Sequence, residues 1–194
     1  MVNESIIIGV TGHPASGKDT IADYLASQGF FKISGGDILR EEMQKLGIPI
    51  DRSHIHEFVN EMRKERGNGY LAEEMIKKIK GNAVVSGIRN SEEIRIFREK
   101  FGNAFKLIAV QTPIEARYVR AKERGRIGDA ISFERFKTEE EKEKAAESGS
   151  HEVDNVMALA DVIMNNDGSK EDLFQKIDTL VPPFVLHIKK CHGK

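Results

Sequence analysis

The sequence predicts a three-layer α/β domain: a parallel sheet of about five strands with helices on both faces. Short β-branched runs alternate with helical patterns along most of the chain. A glycine-rich loop joins the first strand to the first helix, and no stretch reads as a linker or an internal repeat. At 194 residues the chain fits a single domain, 1–194, large enough to bury a core.

The run Ile6-Ile7-Ile8-Gly9-Val10 predicts a buried strand over 5–10. A helix follows from Lys18, with Ile21, Tyr24 and Leu25 facing a core and Gly29 as its stop. Phe30 to Ile33 is a second strand, broken by Ser34-Gly35-Gly36-Asp37. Residues 38–46 read as a helix. Asp51 or Ser53 opens another, whose Ile55, Phe58, Val59 and Met62 share one face. A further helix after Gly67-Asn68-Gly69 carries Leu71, Met75, Ile76 and Ile79. Ala83 to Val85 is a strand, Ser91 to about Lys100 a helix, and Phe105 to Val110 a strand. Thr112-Pro113-Ile114-Glu115 has the form of a capping box with proline at the first helical position, opening a helix to about Arg124. Residues 125–150 are charged and read as an exposed helical segment. Asp161 to Asn165 is a last strand, and Ser169-x-x-Asp172 caps a closing helix. Two helical insertions, 38–80 and 125–150, thus interrupt the alternation. Such pieces suit an acceptor-binding unit and a lid.

Composition narrows the function classes. Hydrophobic content of 39%, charged content of 31% and a formal net charge of −1 describe an ordinary soluble domain with no basic field to draw nucleic acid or an acidic membrane. The single cysteine, Cys191, forms no internal disulfide, and Ile6 to Val10 is too short for a leader or a membrane span. A cytoplasmic protein, monomeric or a small homo-oligomer, is expected.

Chemistry concentrates in Gly12-His13-Pro14-Ala15-Ser16-Gly17-Lys18-Asp19-Thr20, which has the G-x-x-x-x-G-K spacing of a phosphate-binding loop between strand and helix. Its glycines let successive N–H groups turn toward phosphate oxygens, the helix start adds a positive dipole end, and Lys18 reaches the outer phosphates. The loop predicts binding of a nucleoside triphosphate. His54 and His56 fall on different helix faces, and the tail residues His187, Cys191 and His192 read as a loosely packed terminus.

Taken together these motifs resemble the small P-loop kinases that include adenylate kinase, other nucleoside monophosphate kinases and dephospho-CoA kinase, nearest to their archaeal kinase-like branch. The resemblance covers almost the whole chain and implies a P-loop NTPase fold of the nucleoside monophosphate kinase type. Gly12-x-Pro14-x-Ser16-Gly17-Lys18-x-Thr20 is similar to the adenylate kinase loop. Gly36-Asp37-x-x-Arg40 resembles the start of that family's acceptor-binding helices, which implies Arg40 as an anchor for the acceptor's phosphate, while Asp37 is open between a catalytic base and a plain helix N-cap. Gly87-Ile88-Arg89 resembles the strand-end motif of these kinases and implies Arg89 as a second phosphate clamp. Arg120 and Arg124, one helical turn apart, resemble the arginines that stabilise the transferring group, with Arg126 as a third candidate; surface ion pairs with Glu115 or Glu123 are the alternative for them. Asn166-Asp167-Gly168-Ser169 resembles the loop that borders adenine in dephospho-CoA kinase, which implies Asn166 and Gly168 in nucleotide binding.

The sequence departs from the family in two places. Asp19 follows the loop lysine, where Ser, Thr or Gly is usual, and Ser86 stands where a strand-end Asp commonly orders the Mg²⁺ hydration shell. Asp19, with Thr20, is therefore the expected Mg²⁺ side of the site. The 125–150 segment is also more acidic than a phosphate-closing lid should be, with Glu134, Glu139, Glu140, Glu141, Glu143 and Glu147 against Arg135, Lys137, Lys142 and Lys144. The expected activity is transfer of the γ-phosphoryl group of Mg-ATP to a nucleoside monophosphate, with dephospho-CoA as the alternative acceptor. A nucleoside triphosphatase switch and a non-catalytic nucleotide binder are the other readings. The first is disfavoured because Asn165-Asn166-Asp167-Gly168 lacks the lysine of a guanine-reading motif.

Overall fold

A computed structural model describes residues 5–125, 132–145 and 152–191. In chain order these form β1 (Ile7–Thr11), α1 (Lys18–Ser27), β2 (Phe31–Ser34), α2 (Gly35–Lys45), α3 (Arg52–Arg66), α4 (Tyr70–Lys78), β3 (Ala83–Ser86), α5 (Ser91–Phe101), β4 (Phe105–Gln111), α6 (Ile114–Arg124), α7 (Phe133–Ala145), α8 (Glu152–Ala158), β5 (Val162–Asn165) and α9 (Lys170–Cys191). The described strands make one sheet in the order β2-β3-β1-β4-β5, and every pairing is parallel. The expected three-layer α/β architecture holds.

Strand alternation explains the two layers of core. Ile7, Val85 and Leu107 point to one face and pack with Leu39, Met43, Phe58, Tyr70, Met75 and Phe97 from the helices α2 to α5. Ile8, Val10, Val84, Ile108 and Val110 point to the other, against Ile21 and Leu25 of α1 and Leu173 and Ile177 of α9. Phe97 stacks on Phe105 with ring centroids 5.0 Å apart. A Phe97→Ala cavity there would cost about 3–5 kcal/mol. Gly9 has no side chain because Phe105 fills its place: a Cβ would lie 2.9 Å from that ring.

Several boundaries move, each for a local reason. Ser34 caps α2, its hydroxyl accepting from Asp37 N at 3.3 Å, so that helix starts at Gly35 and not at 38. Asp37 is therefore not the N-cap. Asp51 caps α3 by accepting from His54 N at 3.1 Å, and Ser169 and Asp172 cap α9 reciprocally. The Thr112-x-x-Glu115 capping box does not form. Pro113 is the N-cap of α6 without a side-chain bond, and Thr112 is used elsewhere. Of the expected helical segment at 125–150 the described part is α7, and a short helix that was not expected, α8, lies beyond it. That helix offers only Val153 and Val156 as buried apolar positions, too few for a periodic signal. The tail expected to be loose is helical through Cys191, the end of α9. Arg126, Glu147 and His192 lie outside the described residues.

Register sets the functional edge. Val10 of β1, Ser86 of β3 and Ser34 of β2 stand in one row at the carboxyl ends of adjacent strands. The chain therefore leaves the sheet at three neighbouring points, where ligand crevices of open parallel sheets form.

Candidate functional site

At the end of β1 the loop Gly12 to Gly17 is fixed from behind. Thr112 Oγ1 donates to the Ser16 carbonyl at 3.0 Å, and Asn166 Nδ2 donates to the same oxygen at 2.7 Å. Thr11 Oγ1 donates to Ile88 O at 2.9 Å, tying β1 to the Gly87–Arg89 turn. Within the loop Ser16 N donates to His13 O at 3.2 Å. Gly17 sits at φ +100°, and a Cβ there would come within 2.2 Å of Asn166 Nδ2. Ala15, at φ +60°, holds a left-handed conformation that non-glycine residues seldom adopt.

The residues at this loop fit a triphosphate. Ser16 Oγ is buried and has no hydrogen-bond partner among the described residues. Lys18 Nζ donates to His13 O at 3.3 Å, folded back over the loop it would serve. Asp19 lies in the first turn of α1, with Thr20 next to it. One carboxylate and one hydroxyl are hard oxygen donors of the kind Mg²⁺ takes while keeping most of its waters. Ser86 ends β3 beside Val10, so the strand that usually brings a carboxylate brings a hydroxyl.

His13 has partners the sequence did not announce. Its Nε2 stands 2.8 Å from Asp154 Oδ1 of α8, and its Nδ1 4.0 Å from Glu140 Oε1 of α7. Glu140 also takes both terminal nitrogens of Arg117, Nη2 at 2.9 Å. Arg117 is only 4% exposed, and its Nε donates to Thr112 O at 3.1 Å. Burial, then the Arg117 charge, hold the His13 imidazole below its ordinary pKa against the pull of Glu140 and Asp154. The acidic character of α7 thus has a local use: Glu140 neutralises a buried arginine beside the phosphate loop.

Across the crevice, Arg40 and Asp37 pair on the first turns of α2, Arg40 Nη2 donating to Asp37 Oδ1 at 2.6 Å. Both are exposed at the ligand edge. A Cβ on Gly87, at φ +89°, would stand 3.5 Å from Gly35 N and 3.6 Å from Gly36 N, so the turn that leads to Arg89 lies beside the start of α2, the helix of Arg40. Arg89 N donates to Glu93 Oε2 at 2.8 Å. Arg120 donates through Nη2 to Gly168 O at 3.4 Å, and its Nη1 is buried without a partner among the described residues. This joins Arg120 to the Asn166–Gly168 loop and not to Glu115 or Glu123. Asn166 is 5% exposed, and its amide serves the Ser16 carbonyl, behind the phosphate side. Arg124 is exposed at the end of α6.

A second polar group lies inside the helices between β2 and β3. Glu42 Oε2, Arg63 Nε and Tyr70 Oη are all buried and lack hydrogen-bond partners among the described residues. Glu93, 1% exposed, caps α5 reciprocally with Asn90 and stands 3.9 Å from Arg63 Nη2; burial pushes its carboxyl up to about 7. Each buried polar atom left without a partner costs about 1–3 kcal/mol.

Sequence reasoning singled out the loop and the arginines as candidates. It missed Arg117, Glu140, Asp154 and this inner cluster, because their partners are remote in sequence. The Asn90-x-x-Glu93 cap was the one local signal available.

The chain matches a family model described as an AAA domain over residues 8–153. It is 33% identical over 187 residues to the UPF0200 protein of Thermococcus gammatolerans, covering 93% of this chain and 96% of that one. The UPF0200 protein of Sulfurisphaera tokodaii is 36% identical over 177 residues, with 90% and 95% covered. The UPF0200/UPF0201 protein of Archaeoglobus fulgidus is 34% identical, but this chain spans only 55% of its length. Among solved structures, a shikimate kinase from Bacteroides thetaiotaomicron superposes with TM-score 0.57 at 16% identity, covering 91% of this chain and 98% of the other. A gluconokinase from Sinorhizobium meliloti gives 0.55 at 14% identity, covering 98% and 97%. At such identities the likeness concerns the fold: a P-loop kinase-like α/β domain.

Proposed function

This chain belongs to the UPF0200 family, and from that premise we propose that it is an ATP-dependent phosphotransferase acting on a nucleotide-type acceptor, a nucleoside monophosphate before dephospho-CoA. The observation that carries the reading is the row of strand ends Val10, Ser86 and Ser34, from which the Lys18 loop and the Arg89 and Arg40 turns open onto one crevice. In this reading the loop amides and Lys18 hold the triphosphate, and Arg120 and Arg124 meet charge on the moving group. Arg40 and Arg89 hold the acceptor phosphate in line. Asp19 and Thr20 would hold Mg²⁺, which when bound neutralises the outer phosphates. Arg120 also reaches the Gly168 loop, where the nucleotide's base end is expected, so it bridges the two ends of the donor.

Asp37 separates the two acceptors. A phosphate acceptor is already anionic and needs no base, so Asp37 serves by orienting Arg40. A ribose hydroxyl must lose a proton, and Asp37 would take it. Asp37→Asn should therefore raise the acceptor KM a few-fold with kcat kept for a phosphate acceptor, and lower kcat by about 100-fold or more for a hydroxyl acceptor.

The test is a transfer screen with Mg-ATP against AMP, CMP, UMP, dTMP and dephospho-CoA, with Lys18→Met as control. Transfer to one of them, lost by about 1000-fold or more in Lys18→Met, is the expected result. Ser86 in the usual carboxylate position favours one other reading, a nucleotide binder without transfer. Stoichiometric ATP binding with no product from any acceptor would establish it.

A further inference from the structure

The phosphate loop carries an imidazole at its second position, where recognition by backbone asks nothing of the side chain. That imidazole ties the loop to two helices. His13 Nε2 stands 2.8 Å from Asp154 Oδ1 of α8, and its Nδ1 4.0 Å from Glu140 Oε1 of α7. A second thread joins the same corner to the loop. Glu140 takes both terminal nitrogens of Arg117, and Arg117 Nε donates to Thr112 O. The hydroxyl of that threonine in turn donates to the Ser16 carbonyl. On the main-chain side of His13, Lys18 Nζ donates to its carbonyl at 3.3 Å.

Two carboxylates at the edge of a loop that fits a polyanion are unfavourable unless cations offset them. Arg117 offsets Glu140, and with side chains 5% and 12% exposed that pair is nearly closed to solvent. Asp154 is 57% exposed and meets the loop through His13. The charge on the imidazole therefore decides how this corner acts on a phosphate chain. A neutral ring has one N–H and can donate to only one of the two carboxylates. An imidazolium has two, and Asp154 and Glu140 lie off its two nitrogens. The charged groups that face the ring among the described residues are Arg117 from α6, Glu140 from α7 and Asp154 from α8. In the free loop burial and then Arg117 favour the uncharged ring. Phosphate charge brought into the loop shifts that balance toward the imidazolium.

We propose that His13 is a positioning residue of the donor site: it takes up a proton from solvent when a triphosphate enters the loop and then clasps Asp154 and Glu140, fastening α8 and α7 to the occupied loop. The inference rests on the reading that this loop holds a nucleoside triphosphate. His13 acts through the two helices and not on the reacting atoms. Linkage gives the consequence its sign. A ligand that tightens proton binding is itself bound more tightly when the proton is present, so acid should favour the triphosphate.

The test is calorimetric titration of the intact protein at pH 6.0 with a Mg-bound, non-hydrolysable ATP analogue, in buffers of different ionisation enthalpy. Any protonation of the analogue itself is common to all variants and cancels between them. The wild type should take up about half a proton more than His13→Gln, and should bind about 5-fold more tightly at pH 5.5 than at 7.5. Asp154→Asn should lose at least about half of that extra uptake, with binding at pH 8 kept or tightened. Amide exchange in α7 and α8 should slow on binding in the wild type and stay as it was in His13→Gln. Equal uptake in wild type and His13→Gln, or equal slowing in both, would overturn the clasp and leave the donor reading standing. If His13→Gln fails to fold or bind, Asp154→Asn decides: uptake equal to wild type overturns the proposal. No binding of the analogue by the wild type at any of these pH values would overturn both the clasp and the donor reading.

Discussion

In the phosphate loop a single carbonyl, that of Ser16, is gripped by two side chains from the ends of two other strands, Thr112 and Asn166. In the helical insertion, by contrast, three polar atoms from three helices, Glu42 Oε2, Arg63 Nε and Tyr70 Oη, are buried with no hydrogen-bond partner among the described residues. In the proposed reading the first region would recognise phosphate with backbone, and its glycines and backing bonds suit a preformed cradle. The second holds side-chain polar atoms, and their burial without a partner costs stability. One region is backed by its hydrogen bonds, and the other holds buried polar atoms without them among the described residues.

The strongest way to break this comparison is at Gly17. Gly17→Ala places a methyl against Asn166 at a left-handed φ, so it should lower stability by at least about 2 kcal/mol and abolish ATP binding in a titration. If ATP still binds, the cradle is not preformed. Glu93 gives the next largest effect, and its sign is opposite to that of His13. A carboxyl raised to about 7 from an unfolded value of 4.5 costs stability as pH climbs through that window, by about 3 kcal/mol at its fullest. The His13 imidazole is depressed below 6.5, so it costs stability as pH falls beneath that value. Urea melts from pH 4.5 to 7.5 should therefore show Glu93→Gln with stability rising with pH, and His13→Gln with stability falling. Matching slopes in the two variants would remove the contrast between the regions.

A smaller effect sharpens the account of the loop. Thr112→Val and Asn166→Leu should each cost about 1 kcal/mol and weaken ATP binding about 5-fold. Because both donors serve one oxygen, the double variant should lose more than the sum of the two, measured by a double-mutant cycle. The smallest effect is a control away from both regions. Breaking the exposed Lys32–Asp23 pair with Asp23→Asn should change stability by less than about 0.5 kcal/mol.

The same contrast explains what was legible beforehand. Gly12, Gly17 and Lys18 could be read because backbone recognition leaves a mark at fixed local spacing. Arg89 was singled out from its place three residues after β3, and Arg40 from the Gly36-Asp37-x-x-Arg40 pattern in α2. Thr112 was misread as a cap, since nothing local says that its hydroxyl reaches Ser16, 96 residues away. Asp37 was open between base and cap until Ser34 was found to do the capping. Glu140 looked like an objection to a lid until Arg117 was found buried against it.

What the sequence by itself determined is the order of strands and helices, the two-sided core and the phosphate loop, because hydrophobic period and glycine spacing act over a few residues. Only the tertiary structure decided which charges meet, His13 with Asp154 and Arg117 with Glu140, and that polar atoms of Glu42, Arg63 and Tyr70 are buried. Those encounters depend on helix packing and on the parallel register that aligns distant strand ends. An isolated charge in a sequence carries no record of either.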